Sequence, residues 1–318
     1  MAEPTPNQAN STESNRSPGL NLALFAATCF TTVYAGYLSF GSAMGGISFG
    51  GTLMTILICH EMGHYIVAKY HKIDASLPYF VPLPPQISLG TLGAVIRMRR
   101  PISDRNQLID VGAAGPFAGL IVTLPLLLVG LERSELQPIG EGAYLEGNSL
   151  LYLAIKYAVF GQYLPTADGW DVHLHPMAFA AWVGLLITMI NLIPIGQLDG
   201  GHIACAALGD RHESSSSWLH RGLVGVAAIV FAALMWEALS AGRSGTEAFW
   251  HGVKGGLPWL VWAGILAVMR RLSGGVYHPP IGQAALTPQR RIVVWFTLVV
   301  FLAILTPVPL RPALVPGT

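Results

Sequence analysis

Phe49-Gly-Gly-Thr-Leu-Met-Thr-Ile-Leu-Ile-Cys59-His60-Glu61-Met62-Gly63-His64-Tyr-Ile-Val-Ala68 decides the reading of this chain. The stretch is apolar except at its centre. From Leu20 to Ala68 the only Asp, Glu, Lys or Arg is Glu61. A lone carboxylate at bilayer depth is costly and marks a functional site by default. Here it lies between two histidines four residues apart. On a helix those histidines share one face, one turn apart. This is the H-E-x-x-H arrangement, in which two imidazoles hold a metal and the carboxylate serves the water beside it. Gly63, lacking a side chain, permits another segment to approach closely.

Working outward, the composition is that of a membrane protein. Of 318 residues, 52% are hydrophobic and 11% charged, and the mean hydropathy is +0.52. Soluble domains carry about 25% charged residues. The formal net charge of +1 argues for no nucleic-acid partner. The three cysteines, Cys29, Cys59 and Cys205, form no C-x-x-C pair, so no disulfide framework is expected. Residues 1–18 are rich in Pro, Asn, Ser and Thr and read as a disordered tail. No signal peptide is expected, since a basic n-region and an A-x-A site are both missing before Leu20.

Seven spans are expected, each of about 20 mostly apolar residues. They are Leu20–Phe40, Phe49–Tyr70, Val111–Leu131, Pro176–Leu208, Leu219–Ala241, Phe249–Met269 and Ile292–Leu310. The fourth is too long for one plain span and contains Pro194-Ile195-Gly196, so a broken helix is expected there. Leu150–Tyr163 is short, carries Lys156 and reads as interfacial. Residues 312–318 read as a C-terminal tail, leaving 19–311 as one multi-pass domain.

Loop charges set an expected orientation. Lys69, Lys72, Arg97, Arg99, Arg100 and Arg105 lie between the second and third spans, whereas Glu132–Asp171 is acidic. The positive-inside rule puts the basic loops and the N-terminus in the cytoplasm. Tyr79–Pro101 is too apolar for an ordinary loop, yet three prolines and two glycines between Tyr79 and Gly93 forbid a spanning helix. Gly93–Met98 has the character of a strand. Two readings stay open: a surface hairpin, or a re-entrant strand offering its edge to a peptide.

A catalytic zinc site usually has three protein ligands and one open position. His60 lies ten residues before Tyr70, about 15 Å from the cytoplasmic end at 1.5 Å per residue. Within Val172–Gly209, Asp199 is the only Asp, Glu, Lys or Arg, ten residues from Gly209. It therefore matches the depth of the histidines and is the expected third ligand. Asp74, Asp104 and Asp110 belong to the basic loop and need no partner. His202, one turn beyond Asp199, reads as a contact to the site or substrate rather than a ligand. His71, His173, His175, His212, His220, His251 and His278 lie near loops or span ends and are expected to be solvated.

Cys59–His64 together with Asn191-Leu-Ile-Pro-Ile-Gly-Gln-Leu-Asp-Gly-Gly-His202 resembles the site-2 protease family of intramembrane zinc metalloproteases, in its compact type without a PDZ domain. Gly112-Ala-Ala-Gly-Pro-Phe-Ala-Gly119 is similar to the family's glycine-rich core segment. The resemblance covers about Phe49–Gly209. It implies one Zn²⁺ per chain held by His60, His64 and Asp199, with Glu61 as general base. Substrate contacts are implied at Asn191 and Pro194, and Gly93 is the strand position assigned to substrate. The implied activity is hydrolysis of peptide bonds in or near transmembrane segments of membrane-protein substrates, as in regulated intramembrane proteolysis. A zinc-binding scaffold or transporter is the alternative. The chain departs from the family pattern at Gly196, where many members have a second proline. The expected fold is an all-α polytopic membrane protein with about seven transmembrane helices around a three-helix catalytic core and a short re-entrant β-hairpin. The expected location is a prokaryotic inner membrane, with the active site towards the cytoplasm and the lipid bilayer as surroundings.

Overall fold

The computed structural model describes residues 18–314 except 87, 100 and 141. The expected tail at 1–18 falls almost wholly outside them. Among the described residues the chain forms nine helices and three two-stranded sheets. The helices are α1 (Gly19–Phe40), α2 (Ala43–Tyr70), α3 (Arg105–Glu132), α4 (Leu150–Phe160), α5 (Pro176–Asn191), α6 (Asp199–Leu208), α7 (Arg211–Ser240), α8 (Gly245–Leu272) and α9 (Pro288–Ile304). The strands are β1 (Tyr79–Pro82), β2 (Thr91–Val95), β3 (Glu135–Pro138), β4 (Tyr144–Glu146), β5 (Trp170–His173) and β6 (Leu310–Pro312).

Five helices are long and apolar enough to cross a membrane: α1, α2, α3, α7 and α8. Their outer faces are apolar too. Phe30, Ile121, Ile229 and Trp236 are all more than two-thirds exposed, as suits contact with lipid rather than water. The expected fourth span is two short helices, α5 of 16 residues and α6 of 10. The seventh ends at Ile304 after 17 residues. Leu310 and Pro312 belong not to a span or a tail but to β6, which pairs with β4.

The expected break in the fourth segment has a local cause. Helix α5 ends at Asn191, and Pro194, with no N–H to donate and a ring that crowds the preceding turn, disfavours its continuation. Gly196 then turns the chain with φ +64°. Proline, held near −65°, cannot adopt that angle, so the departure at Gly196 gives this chain its own backbone path. Helix α6 restarts at Asp199, with His202 N–H donating to Leu198 O at 2.8 Å.

The core is built on α2, which packs against α1, α3 and α5, while α3 also packs against α5 and α6. Side-chain caps open α2 and α3. Ser42 Oγ accepts from Gly45 N–H at the start of α2, and Asp104 Oδ1 from Gln107 N–H at the start of α3. Helices α7 and α8 pair with each other, and α9 lies against α3, α4, α5 and α6.

The β1–β2 hairpin folds back along α1. Asn21 Nδ2 donates to the carbonyls of Leu77 and Pro78, the rings of Phe25 and Phe80 meet edge to face at 5.3 Å, and Thr31 Oγ1 donates to Gly90 O at 2.6 Å. These three anchors span ten residues of α1, about 15 Å. The strand runs Thr91–Val95 rather than Gly93–Met98, and Met98 forms a separate bridge with Ala75.

On the other side of the bundle, α4 buries a cation. Lys156 is fully buried, with Nζ 3.0 Å from both Glu146 Oε1 and Asp171 Oδ1. Burial pushes the Glu146 carboxyl above its ordinary value, and Lys156 opposes that push. The folded state therefore holds this proton to higher pH than the unfolded chain does. Stability falls as pH rises from the ordinary glutamate range through the raised one. Lys156→Met removes the opposing charge and leaves two buried carboxylates. We expect a loss of about 3–5 kcal/mol in unfolding free energy at neutral pH, shrinking as the pH is lowered towards the ordinary range. Denaturant unfolding in detergent reads both effects, and a pH-independent loss would contradict this account.

Candidate metal centre

His60 and His64 lie on the inner face of α2, both buried. The spacing of four brings their Nε2 atoms to 3.2 Å. Asp199, the first residue of α6, closes the third side. Its Oδ2 is 3.2 Å from His60 Nε2 and its Oδ1 3.2 Å from His64 Nε2. One ligand atom from each residue falls within 4.8 Å of the other two. The depth match read from two distant segments is thus a spatial contact.

The protons show what the site lacks. His64 Nδ1 lies 2.7 Å from Val111 O. A carbonyl only accepts, so Nδ1 carries the proton and Nε2 of the neutral ring presents a lone pair. That lone pair faces a second imidazole nitrogen and a carboxylate oxygen. Asp199 Oδ2 is buried without a hydrogen bond, a state that costs free energy in a dry interior. Two nitrogens and a carboxylate at this separation suit a divalent cation, and the set His₂Asp suits Zn²⁺. The residues present therefore fit a metal.

Two devices hold the ligands. The first is close approach of α2 and α3. A Cβ on Gly63 would come within 2.5 Å of Ala114 O, and one on Gly115 within 2.0 Å of His64 Nε2. The backbones can touch there only because both positions are glycine. The second fixes α6. Arg105, at the start of α3, donates from Nε to Ala206 O at 2.6 Å and from Nη2 to Ala207 O at 3.1 Å. These carbonyls end α6 and have no partner within it. The Asp199 carboxylate, at the other end, sits in the first turn, where the helix dipole favours negative charge.

Glu61 is buried beside its neighbours. It lies within electrostatic reach of His60, His64 and Asp199. Among the described residues no hydrogen bond reaches its carboxylate, which leaves it free to accept a proton.

Beside the centre runs a groove of about 590 Å³. Val95–Met98, Val111, Gln197, His202 and His278 are among its lining residues, and the Val111 carbonyl reaches His64. Asn191, Pro194 and Gly93 are not among its lining residues. Asn191 ends α5, Pro194 is half-buried in the break, and Gly93 is a buried strand residue with φ +99°.

The profile of peptidase family M50 matches residues 48–235, from α2 into α7. The chain belongs to peptidase family M50. It is 34% identical over 163 residues to the probable zinc metalloprotease EGY1, chloroplastic, of Arabidopsis thaliana, covering 49% of this chain and 29% of that protein. It is 36% identical over 183 residues to the probable zinc metalloprotease EGY2, chloroplastic, of Arabidopsis thaliana, covering 56% and 32%. The chain thus spans about a third of the length of these curated relatives. No solved structure matches it.

Several residues expected to be solvated, near loops or span ends, are not. Asp110 is held by Arg290 at 3.0 and 2.7 Å and by His71 Nε2 at 2.9 Å, tying α9 and the end of α2 to α3. His212 and His251 are buried, while His71, His175, His220 and His278 are half-buried and hydrogen-bonded. Only His173 of this group is exposed. Arg290, His220 and His278 meet partners from helices or loops more than fifty residues away, so sequence position gave no sign of the contact.

Metal binding tests the two devices together. Asp199→Ala is expected to remove stoichiometric zinc, and Gly115→Ala to weaken zinc affinity at least about tenfold by displacing His64, the loss typical of disturbing a ligand's support. Zinc titration of the metal-free proteins measures both. Unchanged affinity in Asp199→Ala would demand another third ligand.

Proposed function

We propose that the chain is an intramembrane zinc metalloprotease that hydrolyses peptide bonds in or near the transmembrane segments of membrane proteins. One observation carries the reading. Within a matched M50 region, His60, His64 and Asp199 bring their ligand atoms within 4.8 Å in a buried site, and Glu61 lies beside them.

Bound there by His60, His64 and Asp199, Zn²⁺ supplies Lewis acidity for a carbonyl and lowers the pKa of a water. Glu61 acts as the general base, taking a proton from the attacking water and returning it to the leaving amine. Its burial shields that proton from bulk solvent. A helical substrate shields its own peptide bonds, so it must unwind locally before cleavage. The exposed edge of the hairpin supports a mode of binding in which the extended segment adds as a strand. Gly93 would lie on that strand, with Asn191 and Pro194 bordering the broken segment.

Seven membrane crossings remain the preferred topology, with α5–α6 and α9 as short or interrupted spans within one domain of residues 19–311. The charge asymmetry of the loops supports a cytoplasmic N-terminus and an active site opening to the cytoplasmic side. In a prokaryotic cell that membrane would be the inner one. The hairpin anchors on α1 reach Thr31, twelve residues or about 18 Å from Gly19, which supports the re-entrant reading of Tyr79–Pro101.

Glu61→Gln should retain one zinc per chain and lose at least about a hundredfold in cleavage, the usual contribution of a general base. Turnover of a reconstituted transmembrane substrate, with zinc content measured in parallel, decides this. Full activity in the variant would overturn the mechanism. Bound zinc without cleavage of any membrane substrate by the unaltered protein would favour the scaffold or transporter.

A further inference from the structure

The segment joining α8 to α9 lies beyond the region that matches the family, 48–235. It is anchored along its length. Gln197 Nε2 donates to Ser273 Oγ at 2.7 Å, and Tyr277 N–H to Glu213 Oε2 at 2.9 Å. Tyr277 is buried, its hydroxyl 2.8 Å from His220 Nδ1 and its ring 4.5 Å beneath the Arg270 guanidinium. Further on, Gly282 N–H donates to Ser103 O and Thr287 N–H to Asn106 Oδ1. These ties set His278 against His202, three residues past the proposed ligand Asp199. His278 Nε2 is 2.8 Å from His202 Nδ1, and the rings stand at 86°.

The hydrogen-bond partners assign the protons along this pair. His278 Nδ1 lies 2.7 Å from Pro279 O, which can only accept, so Nδ1 is protonated. Burial pushes His278 below the ordinary histidine value, so at neutral pH its Nε2 is a lone pair. His202 Nδ1 must then donate to it. The remaining nitrogen, His202 Nε2, is left as an acceptor, and no described residue donates to it. Both rings line the groove together with Val95–Met98 and Val111, whose carbonyl holds His64. An extended apolar peptide entering here would bring backbone N–H groups that need acceptors.

We propose that the α8–α9 segment is the second wall of the substrate groove, and that His278 holds His202 in the tautomer whose Nε2 accepts a hydrogen bond from a backbone N–H of the bound peptide. This rests on the protease reading. His278 acts through His202 and is a positioning residue; His202 is the group that touches substrate. The arrangement couples a segment outside the matched family region to the residues around the metal.

Two measurements test it. The first is steady-state cleavage of a fluorescein-labelled single-span transmembrane peptide by the zinc-loaded protein in detergent, for the unaltered chain, His278→Ala and His278→Asn. Loss of one positioned hydrogen bond raises KM by about three- to tenfold, with kcat changed less than about twofold and zinc content intact. Asn, which offers an oxygen to His202 Nδ1, restores most of the loss. The second is ¹⁵N NMR of histidine-labelled Glu61→Gln protein, with His202 assigned through His202→Asn. We expect a protonated Nδ1 and a bare Nε2 on His202, and loss of that pattern in His278→Ala. An unchanged KM in His278→Ala overturns the proposal, as does a His202 signal indifferent to His278. A chain that cleaves nothing overturns the protease reading instead, and the NMR measurement still decides the tautomer.

Discussion

Two carboxylates and two imidazoles buried in an apolar bundle are the constraint on which the rest of the structure depends. Glu61 and Asp199 each stand in a segment with no other charged side chain, and either alone would be costly. Their placement makes sense only where a cation joins them. The features around the site serve that meeting. The broken fourth segment lets α6 begin at the depth of His60. The glycine contact between α2 and α3 lets His64 reach inward, and Val111 O orients its ring. Arg105 satisfies the end of α6 and so fixes where Asp199 starts.

Buried charge is handled differently on the far side of the bundle. There Lys156 meets Glu146 and Asp171 directly. The ion cluster is completed by Tyr152, whose hydroxyl donates to Glu146, and by the Val172 N–H, which donates to Asp171. The comparison is instructive for the metal centre. Where the chain intends a structural ion pair, it supplies the cation from its own sequence. At His60, His64 and Asp199 it supplies only donors of electron pairs.

The helices outside the family match are not mere padding against lipid. α9 is tied to α3 through Arg290 and Asp110, and the segment before it packs His278 on His202. None of this was legible along the chain. Asp110 read as a solvated acid and His278 as a solvated histidine, because each has charged or polar neighbours in sequence while its actual partner is remote. Likewise the groove is lined by Gln197 and His278, and by Val95–Met98 at and beyond the end of β2 rather than by Gly93.

By itself the sequence determined the membrane character, the H-E-x-x-H helix, the break at Pro194 and the pairing of Asp199 with the two histidines. These follow from local rules: apolar length, a four-residue period, a missing N–H, and the cost of an isolated charge. Only the tertiary structure decided which spans are whole and which are short helices, how the hairpin lies along α1, and which histidines are buried. Those depend on packing between segments far apart in the chain, where a neighbour's carbonyl, a missing Cβ or a distant arginine sets the outcome and leaves no periodic trace in the sequence.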